Sequence, residues 1–281
     1  MQIHSLSKVL GLPIVISAVL IMYYSYNQRT DTSVYIFVPV VLLVTLYVFH
    51  GMIDHWWQTK FPIKLDDRII KWLETYFKPY QVMNVDEKLK FENRLSLYIE
   101  GRLFAAVGSE RGNVPEDIKA MVAVHGVHLG MGLDDYLIGE YDRIFLYKHP
   151  FPTPMMQFMH NVETNAEDGV IILSLEQLTN AVLYPTDYFN TAYYAYAEAI
   201  ITVRGIIGVP ITLDKWDSIA RITGFGHDTI LAHTGLKELS SVAVHISAFL
   251  SHNVQYKSEL PGEYNTIANY LKYKQNANVA H

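Results

Sequence analysis

The sequence predicts an α+β, mainly helical protein whose first fifth is a hairpin of two transmembrane helices and whose remainder is a helical domain with a small central sheet. Three observations predict it. Two apolar runs near the N-terminus, Val9 to Tyr26 and Val34 to Ile53, carry no charge over 18 and 20 residues. Beyond them, apolar residues recur mostly at helical spacing. In the middle of the chain two short runs rich in β-branched and aromatic residues break that period.

Each apolar run is long enough to cross a hydrocarbon core of roughly 30 Å at about 1.5 Å per residue. Pro13 and Pro39 lie near helix ends, where a membrane helix tolerates them. The intervening segment, Asn27 to Ser33, holds one cation, Arg29, and one anion, Asp31. After the second run come Trp56 and Trp57, at the depth aromatic rings prefer, and then Lys60, Lys64, Arg68 and Lys71. Four cations against one place the bulk of the chain, and with Lys8 its N-terminus, on the cytoplasmic side. A cleaved signal peptide would need a small-x-small site and a polar start after it, whereas a second apolar run follows. The expected division is a transmembrane hairpin over 1–53 (helices about 9–26 and 34–53), an amphipathic connecting helix over 54–80, and a cytoplasmic domain over 81–281.

Ile63 to Tyr80 carries Ile69, Ile70, Trp72, Leu73, Tyr76 and Phe77 at helical spacing, and Pro79 ends it. Asp86 to Gly108 reads as one further helix with Leu89, Phe91, Leu95, Tyr98, Ile99, Leu103 and Phe104 turned inward. Pro115 opens the next helix, where its missing N–H is harmless. Arg143 to His149 and Gly169 to Leu175 read as strands. Asn190 to Gly205, Trp216 to Thr223, Leu236 to Asn253 and Glu263 to Gln275 return to helix.

Composition narrows function. Half of the 281 residues are hydrophobic and the mean hydropathy is +0.11, more apolar than a soluble enzyme of this size needs to be. A net charge of −6 gives no basic footprint for nucleic acid. Cysteine is absent, which removes disulfides, thiolate metal ligands and a cysteine nucleophile. His125 and His128 stand at i, i+3 on a helix and read as packing or surface histidines. Lys148 to Pro154 (KHPFPTP) reads as a strand end and turn, since its three prolines forbid regular pairing. Phe225 to His233 has two histidines and one aspartate but no nucleophile beside them. Tyr184, Tyr188, Tyr193, Tyr194 and Tyr196 form a cluster in sequence, expected either to fill a cleft or to form a protein-binding face.

The segments FENRLSLYIEGRLFAAVG, VAVHGVHLGMGL, DRIFLYKHPF, GVIILSLEQL and ELSSVAVHISAFLSHNVQYKSELPGEYNTIANYLKY follow one another between about Phe91 and Tyr273. In order and hydrophobic spacing this stretch resembles the Mlc titration factor A family of zinc metallopeptidases, of the gluzincin type. The resemblance implies a metallopeptidase-like domain and a helix bearing H-E-x-x-H. In that motif two histidines at i, i+4 share a helical face and bind zinc, and the glutamate activates the metal-bound water. A glutamate from a later helix completes the ligand set.

No H-E-x-x-H occurs in this chain. The corresponding helix reads NTAYYAYAEAIITVRG. One register sets Ala192, Tyr193 and Tyr196 at the motif's three functional positions, and a shift by one residue sets Tyr193, Tyr194 and Ala197 there. His245 falls where the third ligand is expected, with Glu238 a near neighbour. The former metal site is therefore expected to be degenerate at Ala192, Tyr193, Tyr196 and His245, with no catalytic residue, no metal and no cofactor. An unorthodox site would have to use tyrosine, Glu198 and His245, yet Glu198 stands about 120° round the helix from Ala192.

Fold does not carry function with it. The expectation is a catalytically inactive, membrane-anchored accessory or interaction subunit of a larger membrane complex in a bacterial inner membrane, both termini cytoplasmic. Its partners would be lipid and integral membrane proteins, with neither nucleic acid nor a peptide substrate. The small residues Gly11, Ser17, Ala18 and Gly51 are the expected helix contacts. The rival classes are a tethered metallopeptidase with non-standard ligands and a regulator binding a cytoplasmic transcription factor.

Overall fold

A computed structural model describes residues 5–28, 32–61, 63–108, 113–205 and 215–273. The chain forms two compact units, 1–64 and 65–281. In the first, α1 (Leu6–Gln28) and α2 (Phe37–Lys60) are joined through a short 3₁₀ turn, Thr32–Ile36. Both helices are long and apolar enough to cross a membrane. They pack along one stripe each. On α1 the half-buried residues are Gly11, Ile14, Ser17, Ala18, Ile21 and Ser25, a helical i, i+3, i+7 pattern. On α2 they include Leu43, Leu46, Ile53, Asp54 and Trp57, with Pro39 buried. A Cβ on Gly11 would lie 3.6 Å from Leu46 Cδ2, so this glycine faces α2. At the open end of the hairpin Asp54 of α2 caps α1. Its carboxylate accepts the Ser7 N–H at 2.8 Å and the hydroxyls of Ser7 and Ser5 at 2.7 and 2.8 Å, satisfying donors that a helix start leaves open. The hairpin charges Arg29 and Asp31 lie outside the described residues.

The second unit begins with α3 (Asp67–Tyr76), α4 (Lys78–Gln81) and α5 (Val85–Glu100). The single connecting helix expected over 54–80 is thus several pieces. α2 runs on to Lys60, and the chain breaks again at Phe77 (φ −107°, ψ 87°). Pro79 is the reason: it cannot donate to an i−4 carbonyl, so it opens α4 and does not extend α3. α5 starts in a capping box between Asn84 and Glu87. It stops at Gly101, and the rest of the expected long helix is strand β1 (Leu103–Val107). LFAAV lies between two glycines and pairs in parallel with β2 (Arg143–Tyr147), which outcompetes a helical continuation.

The helix α6 (Glu116–Leu129) crosses from β1 to β2. β3 (Val162–Asn165) and β4 (Val170–Ser174) complete a mixed sheet of order β1-β2-β4-β3. β2 and β4 run parallel, with Ile144 opposite Ile171 and Leu146 opposite Leu173, and β3 is antiparallel to β4. All five residues of β4 are buried, as a strand covered on both faces requires. Then follow α7 (Leu175–Leu183), α8 (Thr191–Arg204), α9 (Trp216–Thr223), α10 (His227–Thr234), α11 (Ser241–Ser251), α12 (Asn253–Glu259) and α13 (Pro261–Tyr270). The expected Leu236–Asn253 helix is shortened to α11 by the Ser240 cap, whose side chain accepts the Ala243 N–H. Gln275 lies outside the described residues. α8 packs against α6, α11, β3 and β4 and forms the axis of the core.

Candidate functional site

The site grows from the cap of α8. Asn190 Oδ1 accepts the Tyr193 N–H at 3.1 Å. That commitment turns the amide nitrogen toward His125, whose Nε2 accepts from it at 2.9 Å. The imidazole proton therefore sits on Nδ1, which faces its own helix turn without a well-formed hydrogen bond. One turn on, His128 Nδ1 lies 2.7 Å from the Tyr193 hydroxyl. Both imidazoles are buried, and burial pulls their pKa values down to about 4 for His125 and about 3 for His128. Burial likewise pushes Tyr193 well above the ordinary tyrosine range. The Phe77 ring stands edge-on to both imidazoles at 5.9 and 5.8 Å. The cluster is a neutral hydrogen-bonded plug, with no charged base.

Tyr196 points to the neighbouring stretch of α6. Its ring lies on Gly126, where a Cβ would stand 2.7 Å from Cε1, so only glycine fits beneath it. Its hydroxyl meets that of Tyr98 at 3.2 Å. Tyr194 turns the other way: it donates to Glu198 at 3.0 Å and accepts the Ser240 N–H at 3.0 Å. Thr164 of β3 also donates to Glu198, at 3.3 Å. Burial raises the Glu198 pKa against these hydrogen bonds, which lower it. Tyr188 stacks on His233 at 5.6 Å, and Tyr184 is exposed. The five tyrosines that cluster in sequence are thus divided among separate surroundings; they do not fill one cleft.

Ala192 is fully buried. His245 is buried on α11 with Nδ1 2.6 Å from the Tyr256 hydroxyl of α12, and burial pulls its pKa down to about 4. Among the described hydrogen bonds and ring contacts, none joins His245 to Tyr193 or Tyr196. Tyr193 and Tyr196 instead meet His128 of α6 and Tyr98 of α5. Among the described residues no group of three or more His, Asp or Glu side chains could hold a metal ion. His227 packs on Trp216 at 4.5 Å, and His233 Nδ1 accepts the Phe189 N–H at 3.1 Å, which gives both histidines of the FGHDTILAH segment packing and capping work.

An open groove of about 910 Å³ lies at the Asn190 end of α8. Its floor includes His128, Phe189, Phe225 and Leu250, all buried. Lys78, Val82, His252 and Val254 stand on its walls and lips. Sequence reading missed this groove, because its walls come from six separate stretches between Lys78 and Tyr273. In the hairpin, Gly11, Ser17 and Ala18 lie on the stripe facing α2, whereas a Cβ on Gly51 would meet nothing within 4 Å. No family model matches the chain, and no curated protein matches it.

Proposed function

We propose that this protein is a membrane-anchored, catalytically inactive relative of the gluzincin-type metallopeptidases that serves as an accessory or interaction subunit of a larger membrane complex. The observation that carries the reading is the state of α8. The helix that would bear the metal motif presents Ala192, Tyr193 and Tyr196 instead, all buried, and the polar contacts of these tyrosines to α5 and α6 are neutral. A water-attack mechanism needs a base facing an open, metal-bearing position. His125 and His128 are closed into packing, and Glu198 faces Thr164 and Tyr194.

Two long apolar helices with outward-facing Val, Leu and Tyr side chains support the anchor. The cation excess after α2 supports a cytoplasmic domain in a bacterial inner membrane. The partners this reading implies are lipid and integral membrane proteins. Native purification in mild detergent followed by mass spectrometry tests it: co-recovery of stoichiometric membrane proteins is expected, and recovery as a lone monomer overturns the subunit role. Stoichiometric zinc that EDTA removes would overturn the inactive-site reading, and a C-terminal reporter scoring outside the cytoplasm would overturn the topology.

A further inference from the structure

We propose that the groove beside His128 is a binding site for an acid-headed amphiphile, an apolar acyl-type chain ending in a carboxylate or phosphate monoester. Its volume of about 910 Å³ falls within the roughly 300–1,000 Å³ typical of small-molecule sites. The floor of Phe189, Phe225 and Leu250 is buried and apolar, and the lips carry exposed Val82 and Val254. Helices and their turns line it throughout; no residue of β1 to β4 contributes. A peptide main chain therefore finds no strand edge to pair with, and an alkyl chain needs none.

Charge selects the head group. Lys78 and His252 line the same groove, close enough that the ammonium adds to burial in lowering the His252 pKa. Lys78 takes part in no ion pair among the described residues. His252 Nδ1 meets the Ser251 hydroxyl at 2.9 Å, which leaves Nε2 for a ligand. The groove's acids are placed otherwise. Glu87 is occupied in the capping box, accepting the Asn84 N–H at 3.1 Å. Asp86 is exposed in the first turn of α5, where the helix dipole accommodates it. The Lys90 ammonium donates to the Met131 carbonyl at 2.9 Å. Lys78 thus supplies a cation outside any described ion pair, and the neutral His252 ring a hydrogen-bonding nitrogen beside it, in a groove with an apolar floor, the complement of an acid on a hydrocarbon chain. The inference rests on the membrane-anchored reading for one thing, the supply of such molecules from the adjacent leaflet.

The test uses the full chain in membranes and a photoreactive diazirine palmitate, with cross-linked peptides mapped by mass spectrometry. Labelling is expected within 78–90 and 250–255, competed by palmitate or by lysophosphatidic acid but not by hexadecanol; which acid competes better separates a free carboxylate from a lipid head group. Lys78→Met, at an exposed position, should cut groove labelling on the order of fivefold or more and leave hairpin labelling unchanged. Label confined to the hairpin, equal competition by hexadecanol, or indifference to Lys78→Met would overturn the site. Absence of hairpin labelling would instead overturn the anchoring reading.

Discussion

The hairpin and the folded domain use the same side chains turned in opposite directions. In α1 and α2 most large apolar residues face outward, with Leu12, Val19, Tyr23, Phe37 and Tyr47 all exposed, and a narrow stripe that mixes small residues with Ile14, Ile21, Leu43 and Leu46 is half-buried. In α8 and α11 most side chains are buried, aromatic rings included. Apolar surface is turned away from water in both cases only if the first unit lives in lipid. The difference teaches what each unit treats as solvent, and it can be attacked from either side.

The largest effect belongs to the domain. Tyr196→Ala removes a ring seated on Gly126 and the partner of Tyr98, and should cost about 3–5 kcal/mol in denaturant unfolding of the full chain. Tyr47→Ala removes a ring that is 77% exposed and should move the same transition by no more than about 0.5 kcal/mol. Comparable losses would mean that the exposed hairpin rings are part of a folded core.

Next comes the hairpin's own solvent. Val44→Arg puts a cation in the middle of the apolar run 34–53, on an exposed face of α2, where the insertion penalty is about 2.5–3.5 kcal/mol. Carbonate extraction should show a large fraction of the variant leaving the membrane while the domain unfolds at the wild-type denaturant concentration. Unchanged retention would show that lipid does not surround that face.

Protons probe the domain more gently. His125 and His128 are buried as neutral rings, with pKa values of about 4 and about 3 when folded, against roughly 6.5 when unfolded. Between those values the unfolded chain binds more protons. Their contribution is therefore intact above pH ~6.5 and is lost as the pH falls toward the folded values, at roughly 1 kcal/mol per pH unit for each ring. Urea unfolding at pH 7, 6 and 5 should follow that slope, and a His125→Asn, His128→Gln double variant should flatten it. A slope unaltered in the double variant would assign the acid sensitivity to other groups. No such dependence is expected of the hairpin's insertion.

How much of this was legible in the sequence depends on how local its cause is. The two apolar runs, α6, β2, β4 and α8 announce themselves by period and length. β1 did not, because LFAAV continues the apolar phase of α5 and only its pairing with Arg143 to Tyr147 makes it a strand. β3 (VETN) is short and polar, and β4 alone holds it in place. At the candidate site, the run of tyrosines on α8 is readable in the sequence. The pairing of Tyr193 with His128 spans 65 residues and has no signal in either segment. His128 reads locally as one of many helix histidines, and the groove exists only where distant stretches converge.

The smallest effect sharpens the comparison at its boundary. Of the four small hairpin residues expected at a helix interface, Gly11, Ser17 and Ala18 lie on the stripe between α1 and α2. Gly51 does not: its Cβ direction is open for at least 4 Å. A glycine there costs the helix up to about 1 kcal/mol relative to alanine and gains no close contact among the described residues. Close approach of another helix would account for that cost, since small residues let backbones meet in lipid. Gly51→Leu should therefore leave insertion and domain unfolding unchanged, within about 0.5 kcal/mol, and selectively deplete co-purified membrane proteins. Full co-recovery with the leucine variant would remove Gly51 from the contact surface and leave the subunit reading to the domain.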